Sequence, residues 1–181
     1  MYCAQHASTT SLRLWWWLDS GSASWIDRTV APWNNAPSNA PGPDGRDWIR
    51  SDNHGILGGY VAGGEVGLLF GAAPSGSRPR PYLRVERFRT ADGSLIAEED
   101  VWSPSYAIAY PAVCPNDRGH LAVTVAVGGG SVYPTSAAFL VDDYAPGFAG
   151  QTLYSLLTGN SGPERNRWGD YFCVARHPVV G

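Results

Sequence analysis

Four residues near the carboxyl end of the chain bring the functional groups of a binding or catalytic site together within five positions. They are Arg167, Trp168, Asp170 and Tyr171. An arginine can hold a carboxylate through two parallel hydrogen bonds, and an indole face stacks on a sugar ring or a cation. An aspartate can act as an acid, a base or a metal ligand, and a tyrosine is the nucleophile of some glycosidases. We take all four as candidate ligand-binding residues, and Asp170 and Tyr171 also as catalytic candidates.

The same residues could instead have a purely structural use. Arg167 and Asp170 can pair with each other or with the backbone, and Trp168 can fill a seam between two packed sheets. Gly169 then serves only to let two backbones approach closely. The sequence leaves both interpretations open.

Other polar groups of the chain give weaker patterns. The run Glu98-Glu99-Asp100 is predicted to be a solvated strand face or turn, with a paired-carboxylate glycosidase site as the alternative. Asp142-Asp143 is predicted to form a polar turn whose carboxylates accept backbone N–H bonds. The four histidines are far apart in the sequence, so we expect no metal site. No glycine-rich segment fits a phosphate loop, and we expect no cofactor.

Composition narrows the class of protein. The chain has 181 residues, and 22 glycines and 14 prolines interrupt it so often that short strands are favoured over long helices. The net charge is −3, and the basic residues, all arginine, form no stripe, so nucleic acid is not an expected partner. No apolar stretch approaches the ~20 residues that a membrane helix needs, so we expect no membrane span.

The ends and the cysteines give three further expectations. The first six residues lack the basic and apolar regions of a signal peptide, so the signal of a secreted parent would lie upstream. The chain ends just after a strand that would begin near Arg167, so we expect it to be a piece of a longer protein. Cys3, Cys114 and Cys173 are predicted to be buried free thiols, with a Cys114–Cys173 bridge as the alternative.

Strand patterns recur along the chain. Alternation of apolar and polar residues, or short apolar runs, indicate strands. The predicted strands are 2–7, 11–19, 25–30, 65–71, 82–89, 95–102, 120–127, 136–141 and 151–157. In one of them, Trp15-Trp16-Trp17 must place an indole on each face, either for packing between sheets or as a platform for a sugar. The loop 31–47, rich in proline, glycine and asparagine, is predicted to frame a binding mouth, and Trp33 and Trp48 flank it.

The strands repeat with a period of roughly 50 residues and several strands per unit, as the blades of a β-propeller require. The fold class predicted is therefore all-β: a partial β-propeller of about three four-stranded blades plus the first strand of another. The approximate blades are 1–50, 51–105 and 106–160, and the next blade starts within 161–181. An antiparallel sandwich is the alternative.

Two segments carry a resemblance to a known family. One contains Tyr110-Pro111-Ala112-Val113, Asn116-Asp117-Arg118-Gly119 and Tyr133-Pro134-Thr135-Ser136-Ala137, and the other is Arg167-Trp168-Gly169-Asp170-Tyr171. In order and spacing they resemble secreted, sialidase-like β-propellers of the BNR-repeat group. The Arg-Ile-Pro motif and the Asp-box turns of sialidases do not occur intact here.

The resemblance implies an extracellular or cell-surface location and adds Tyr110 to the candidate ligand-binding residues. It implies a domain that binds a glycan or another extracellular protein, with the completing blades of the same parent chain as a further partner. A glycoside hydrolase of the exo-sialidase type, whose active site is completed by missing blades, is one alternative. A structural adhesion module is the other.

Overall fold

The computed structural model describes residues 2–17, 19, 21–49, 55–165, 168 and 172–176. Within these residues the chain forms eleven β-strands and no helix, which confirms the all-β prediction. Accordingly, the described part holds no helix that could cross a membrane.

The strands form three antiparallel sheets, in each of which neighbours in the sequence are neighbours in space. The first sheet contains β1 (Tyr2–Ser8), β2 (Ser11–Trp16) and β3 (Ser24–Thr29). The second contains β4 (Ile56–Ala62), β5 (Glu65–Ala72), β6 (Tyr82–Arg89) and β7 (Leu95–Val101). The third contains β8 (Ala107–Pro115), β9 (Leu121–Gly129), β10 (Val132–Val141) and β11 (Tyr154–Leu157). None of the three closes into a barrel.

The second sheet is the middle layer, because both of its faces are buried. Along β5, Val66, Leu68 and Phe70 pack with Leu12 and Leu14 of the first sheet. The intervening side chains face the other way, and Leu69 joins a core made with the third sheet. A strand that is apolar on both sides, as β5 is, reads in the sequence as a continuous apolar run rather than an alternation.

The first hairpin of the second sheet uses the turn chemistry of its sequence. Gly63 and Gly64 connect β4 to β5 with φ angles of 57° and 81°. Two positive φ angles define the tight turn whose twist matches that of paired strands, and glycine adopts them without strain.

Strand β4 was not among the predicted strands, because Gly58 and Gly59 interrupt its apolar pattern. The structure gives a reason for Gly58: a Cβ built there would lie 3.3 Å from the carbonyl oxygen of Pro111 and 3.5 Å from the side chain of Val113. Strands β4 and β8, the first strands of their sheets, therefore pack backbone to backbone at this point.

The prediction of buried free thiols is correct only for the free state of Cys114 and Cys173, and the side chain of Cys3 lies outside the described part of the structure. Cys114 and Cys173 are free thiols, so the alternative of a bridge between them is wrong. Cys114 is half-buried, but Cys173 is exposed rather than buried.

Candidate functional site

Two of the predicted ligand-binding residues meet in space. Tyr110 of β8 and Trp168 both contact Trp48, with ring centroids 6.1 Å and 5.9 Å from that indole. Phe172 closes the group, stacked on Tyr110 at 6.3 Å and tilted against Trp168 at 5.7 Å. We call Trp48, Tyr110, Trp168 and Phe172 the aromatic cluster. The other candidates, Arg167, Asp170 and Tyr171, lie outside the described residues.

A bulge in β8 turns Tyr110 toward this cluster. The pairing of β8 with β9 shifts between Ala109 and Ala112, and Tyr110 has a φ of 53°. Consecutive residues of a regular strand face opposite sides, yet Ala109 and Tyr110 both pack into the same apolar group. A non-glycine residue in the left-handed region costs of the order of 1–2 kcal/mol, and such residues concentrate at binding and catalytic sites.

Trp48 forms the floor of the aromatic cluster. Its side chain is 0 % exposed and lies among Ala40, Ala107 and Ala126. A Cβ built on Gly128 would stand 2.8 Å from the indole nitrogen, so only glycine leaves room for the ring there. Of the two tryptophans that the sequence placed at the mouth of the long loop, Trp48 reaches the cluster. Trp33 instead packs against Phe70, between the first and second sheets.

The aromatic cluster offers stacking surfaces and little charge of its own. Tyr110, Trp168 and Phe172 are half-buried, so each retains some surface above the buried Trp48. Rings that stand partly clear of a packed floor are suited to the apolar face of a sugar or to an apolar side chain. Sequence reasoning identified Tyr110 and Trp168 but not Phe172, which carried no signal beyond its place near Trp168.

A group of charged side chains, separate from the aromatic cluster, lies between the first and second sheets. Arg84 of β6 donates from Nε and Nη2 to the two carboxylate oxygens of Asp100 on β7, at 3.0 Å and 3.3 Å. Arg78 also pairs with Asp100, whose side chain is only 7 % exposed. The prediction of a solvated face for the acidic run is therefore wrong for Asp100.

Glu99 departs from the same prediction, whereas Glu98 is exposed as expected. Glu99 accepts hydrogen bonds from Arg87 at 3.2 Å and from the backbone N–H of Phe148 at 2.8 Å. The alternation of a strand sends Glu99 to the third sheet and its two neighbours to the other face. A run of three acids thus serves two different interfaces.

Glu86 is the most unusual ionisable group of the second sheet. It is 0 % exposed, and neither carboxylate oxygen has a hydrogen-bond partner among the described residues. Burial, and after it the charge of Glu98 directly opposite on β7, raises the pKa of Glu86 to about 8. Arg84 lies 3.8 Å away but is already held by Asp100. Because the side chain of Glu86 is buried between the sheets, we assign it no role in binding.

Tyr60 of β4 is a buried tyrosine whose surroundings oppose a role as a nucleophile. Burial raises the pKa of Tyr60 to about 12, although Arg87 close by acts in the other direction. A nucleophile needs a lowered pKa or an adjacent base. Tyr60 also packs into the core on Phe148, at a centroid distance of 6.2 Å.

No group of three or more potential metal ligands occurs among the described residues. Asp142 instead forms the polar turn predicted from the sequence. Its Oδ1 accepts hydrogen bonds from the N–H groups of Tyr144 and Ala145, at 2.9 Å and 3.0 Å. This confirms the turn at Asp142, and Asp143 pairs with Arg118 at 3.3 Å on the surface.

Comparison with known proteins yields no relative from which a function could be transferred. No protein-family model matches the chain, and no curated protein and no solved structure matches it either. The functional proposal therefore rests on the residues themselves.

Proposed function

We propose that the chain is part of an extracellular, sialidase-like β-propeller that binds a glycan, with the aromatic cluster at its binding site. The observation that carries this proposal is the meeting of Tyr110 and Trp168. These residues are far apart in the sequence and were selected from motifs, yet they converge on one partly exposed aromatic group. In a propeller, ligands bind at a mouth of the central channel, which the first strand of each blade lines.

The packing of the sheets supports a radial arrangement. The first strands of the second and third sheets, β4 and β8, contact each other, as strands around a common axis must. The outer strands also make matching contacts with the next sheet. Ile26 of β3 contacts Gly93 in the β6–β7 turn, and Glu99 of β7 contacts Gly147 in the β10–β11 connection. One rotation relating successive sheets accounts for both contacts.

The position of Tyr110 fits this arrangement. It lies on β8, a strand that would be innermost in its blade, and at a bulge that redirects its side chain. Bulges of this kind occur next to functional sites, where they aim one side chain at a ligand. A strained Tyr110 beside the half-buried Trp168 is what a preorganised stacking site requires.

Binding is better supported than hydrolysis by the described residues. The carboxylates of Glu65, Glu99 and Asp100 are held by arginines. The phenol of Tyr60 is disfavoured as a nucleophile by its raised pKa. A hydrolase would have to use Asp170 and Tyr171 together with further blades of the parent chain.

The binding proposal predicts a selective effect of Trp168→Ala. On a glycan array, the variant is expected to lose at least about tenfold in affinity, because a well-packed aromatic anchor contributes about 2 kcal/mol or more. Tyr154→Ala is the matched control: this tyrosine is also aromatic and is 62 % exposed, on the outer strand β11. The control should bind as the unmodified protein does. Unchanged binding by Trp168→Ala would remove the aromatic cluster from the site.

The hydrolase alternative has its own test. We expect the full-length protein not to hydrolyse a fluorogenic sialoside. Tyr171→Phe should therefore have no effect in that assay. Release of the fluorophore that is abolished by Tyr171→Phe would show that the protein is a glycosidase with a tyrosine nucleophile. The binding proposal would then be too narrow.

A further inference from the structure

One face of the first sheet is uncovered and has an unusual composition. Arg13 and Asp27 form a two-pronged ion pair across β2 and β3, with N–O distances of 2.7 Å and 2.8 Å. Trp15 and Trp25 stand beside this pair, with ring centroids 6.0 Å apart, and Trp25 is 50 % exposed. We call these four residues the Arg–Trp face.

The arginine–aspartate pair of the Arg–Trp face recurs in an equivalent register on the second sheet, where glutamates occupy the positions of the two tryptophans. In the first sheet, Arg13 lies opposite Asp27 and Trp15 lies opposite Trp25. In the second sheet the corresponding strands show the same register: Arg84 lies opposite Asp100 and Glu86 lies opposite Glu98. In both sheets the arginine and the aspartate are joined through Nε and Nη2.

The two faces also point in the same direction along the series of sheets. Ile26, next to Asp27, turns to the opposite side and contacts Gly93 of the following sheet. Glu99, next to Asp100, likewise turns away and contacts Gly147 of its following sheet. The Arg–Trp face and the Arg84 face are therefore the preceding sides of two equivalent sheets.

The Arg84 face shows what an equivalent surface looks like when it is covered. The first sheet lies on it, and Arg84 Nη1 donates to the backbone carbonyl of Ala31 at 2.8 Å. Ala31 belongs to the segment that leaves the covering sheet after β3. Among the described residues, Arg13 Nη1 has no such acceptor, although Nε and Nη2 are bound in the same way.

We propose that the Arg–Trp face is the docking surface for a further antiparallel β-sheet of the parent protein. That sheet lays an uncharged, mainly apolar face on Trp15 and Trp25, and the segment leaving it supplies a backbone carbonyl to Arg13. The inference rests on the radial arrangement proposed above. It accounts for both indoles and for the unused donor of Arg13.

The charge and geometry of the face favour this partner over a sugar. Arg13 is neutralised by Asp27, so the face does not call for a charged partner. The guanidinium of Arg13 lies 3.9 Å from the ring centroid of Trp25 and covers the indole face on which a pyranose would stack. A sheet needs only the ring edges and the remaining donor, which stay accessible.

Chemical footprinting of tryptophan tests the proposal by comparing the full-length protein with the 181-residue chain. N-bromosuccinimide oxidises accessible indoles, and peptide mass spectrometry gives the rate at each one. In the 181-residue chain, Trp25 should react rapidly, while Trp48, which is 0 % exposed, serves as the slow reference. In the full-length protein the rate at Trp25 should fall about tenfold or more, toward that of Trp48, because a covered indole reacts only when its interface opens.

Three results are informative. Protection of Trp25 that is independent of protein concentration supports the proposal. Equal reactivity of Trp25 in the full-length protein and the 181-residue chain overturns it. Protection that disappears on dilution also overturns it, because the cover would then be a second copy. The glycan array responds to Trp168 and this assay to Trp25, so either proposal can fail without the other.

Discussion

Replacing Glu86 by glutamine is expected to stabilise the protein strongly at pH 8 and only slightly at pH 5. Glu86 is fully buried, and the pKa of its carboxyl is raised to about 8 by burial and by Glu98. The folded protein thus retains a proton that the unfolded chain has already lost above its ordinary pKa of 4.5. Glutamine keeps the shape of the side chain without titrating.

The sign of the pH dependence follows from proton binding. Between the two pKa values the native state binds more protons than the unfolded state, so stability falls as pH rises, by about 1.4 kcal/mol per pH unit. Glu86→Gln removes this loss, and its stabilisation should grow to about 4 kcal/mol at pH 8 while staying below about 1 kcal/mol at pH 5.

Chemical denaturation at a series of pH values measures this effect. Glu164→Gln, which changes an exposed glutamate, is the control and should shift stability little at any pH. A Glu86→Gln stabilisation that is the same at pH 5 and pH 8, or a destabilisation at pH 8, would show that Glu86 is not held protonated in the fold.

The second large effect compares two equivalent aspartates. Asp100→Asn is expected to cost about 3–5 kcal/mol, because the buried Arg84 loses the carboxylate that neutralises it. Arg78 and Arg84 both bind Asp100, and Arg84 is itself almost fully buried. Asp27→Asn makes the same change at the same register, in the exposed pair with Arg13, and is expected to change stability little in the 181-residue chain.

Urea denaturation of the 181-residue chain and the two variants provides the comparison. Nearly equal losses of stability for Asp27→Asn and Asp100→Asn would mean that the first sheet is already covered in this chain. That result would remove the distinction between a covered and an uncovered face, and with it the basis for the docking surface.

Individual strands were predicted correctly from the sequence where their local pattern agrees with how they pack. Strands β6 and β9 were predicted within a residue or two from their apolar patterns. The alternation of β6 predicts one solvated face, which is wrong, because Arg84 and Glu86 on that face are buried. Strand β4 escaped prediction because Gly58 and Gly59 interrupt its apolar pattern, and Gly58 suits the close approach of β8, which is a tertiary requirement. The radial arrangement was a prediction from a weak repeat, and it is still a proposal.

The candidate site was predicted in part. A motif pointed to Tyr110 and Trp168, but only the three-dimensional structure could show that Trp48 and Phe172 complete the group. Residues that are brought together by a bulge and a long loop have no regular spacing in the sequence, so no sequence pattern predicts their contact. The prediction for the acidic run 98–100 was partly wrong for a related reason. Strand alternation places Glu99 on one face of β7 and its two neighbours on the other, so the three acids have different surroundings.

The most direct test of the central claim is an experimental structure of the full-length protein, in which the relation between successive sheets is measured. The account predicts one constant rotation from the first sheet to the second and from the second to the third, about an axis beside β4 and β8, with a further sheet on Arg13 and Trp25. Sheets stacked without a common axis, or Trp25 open to solvent in the whole protein, would contradict it.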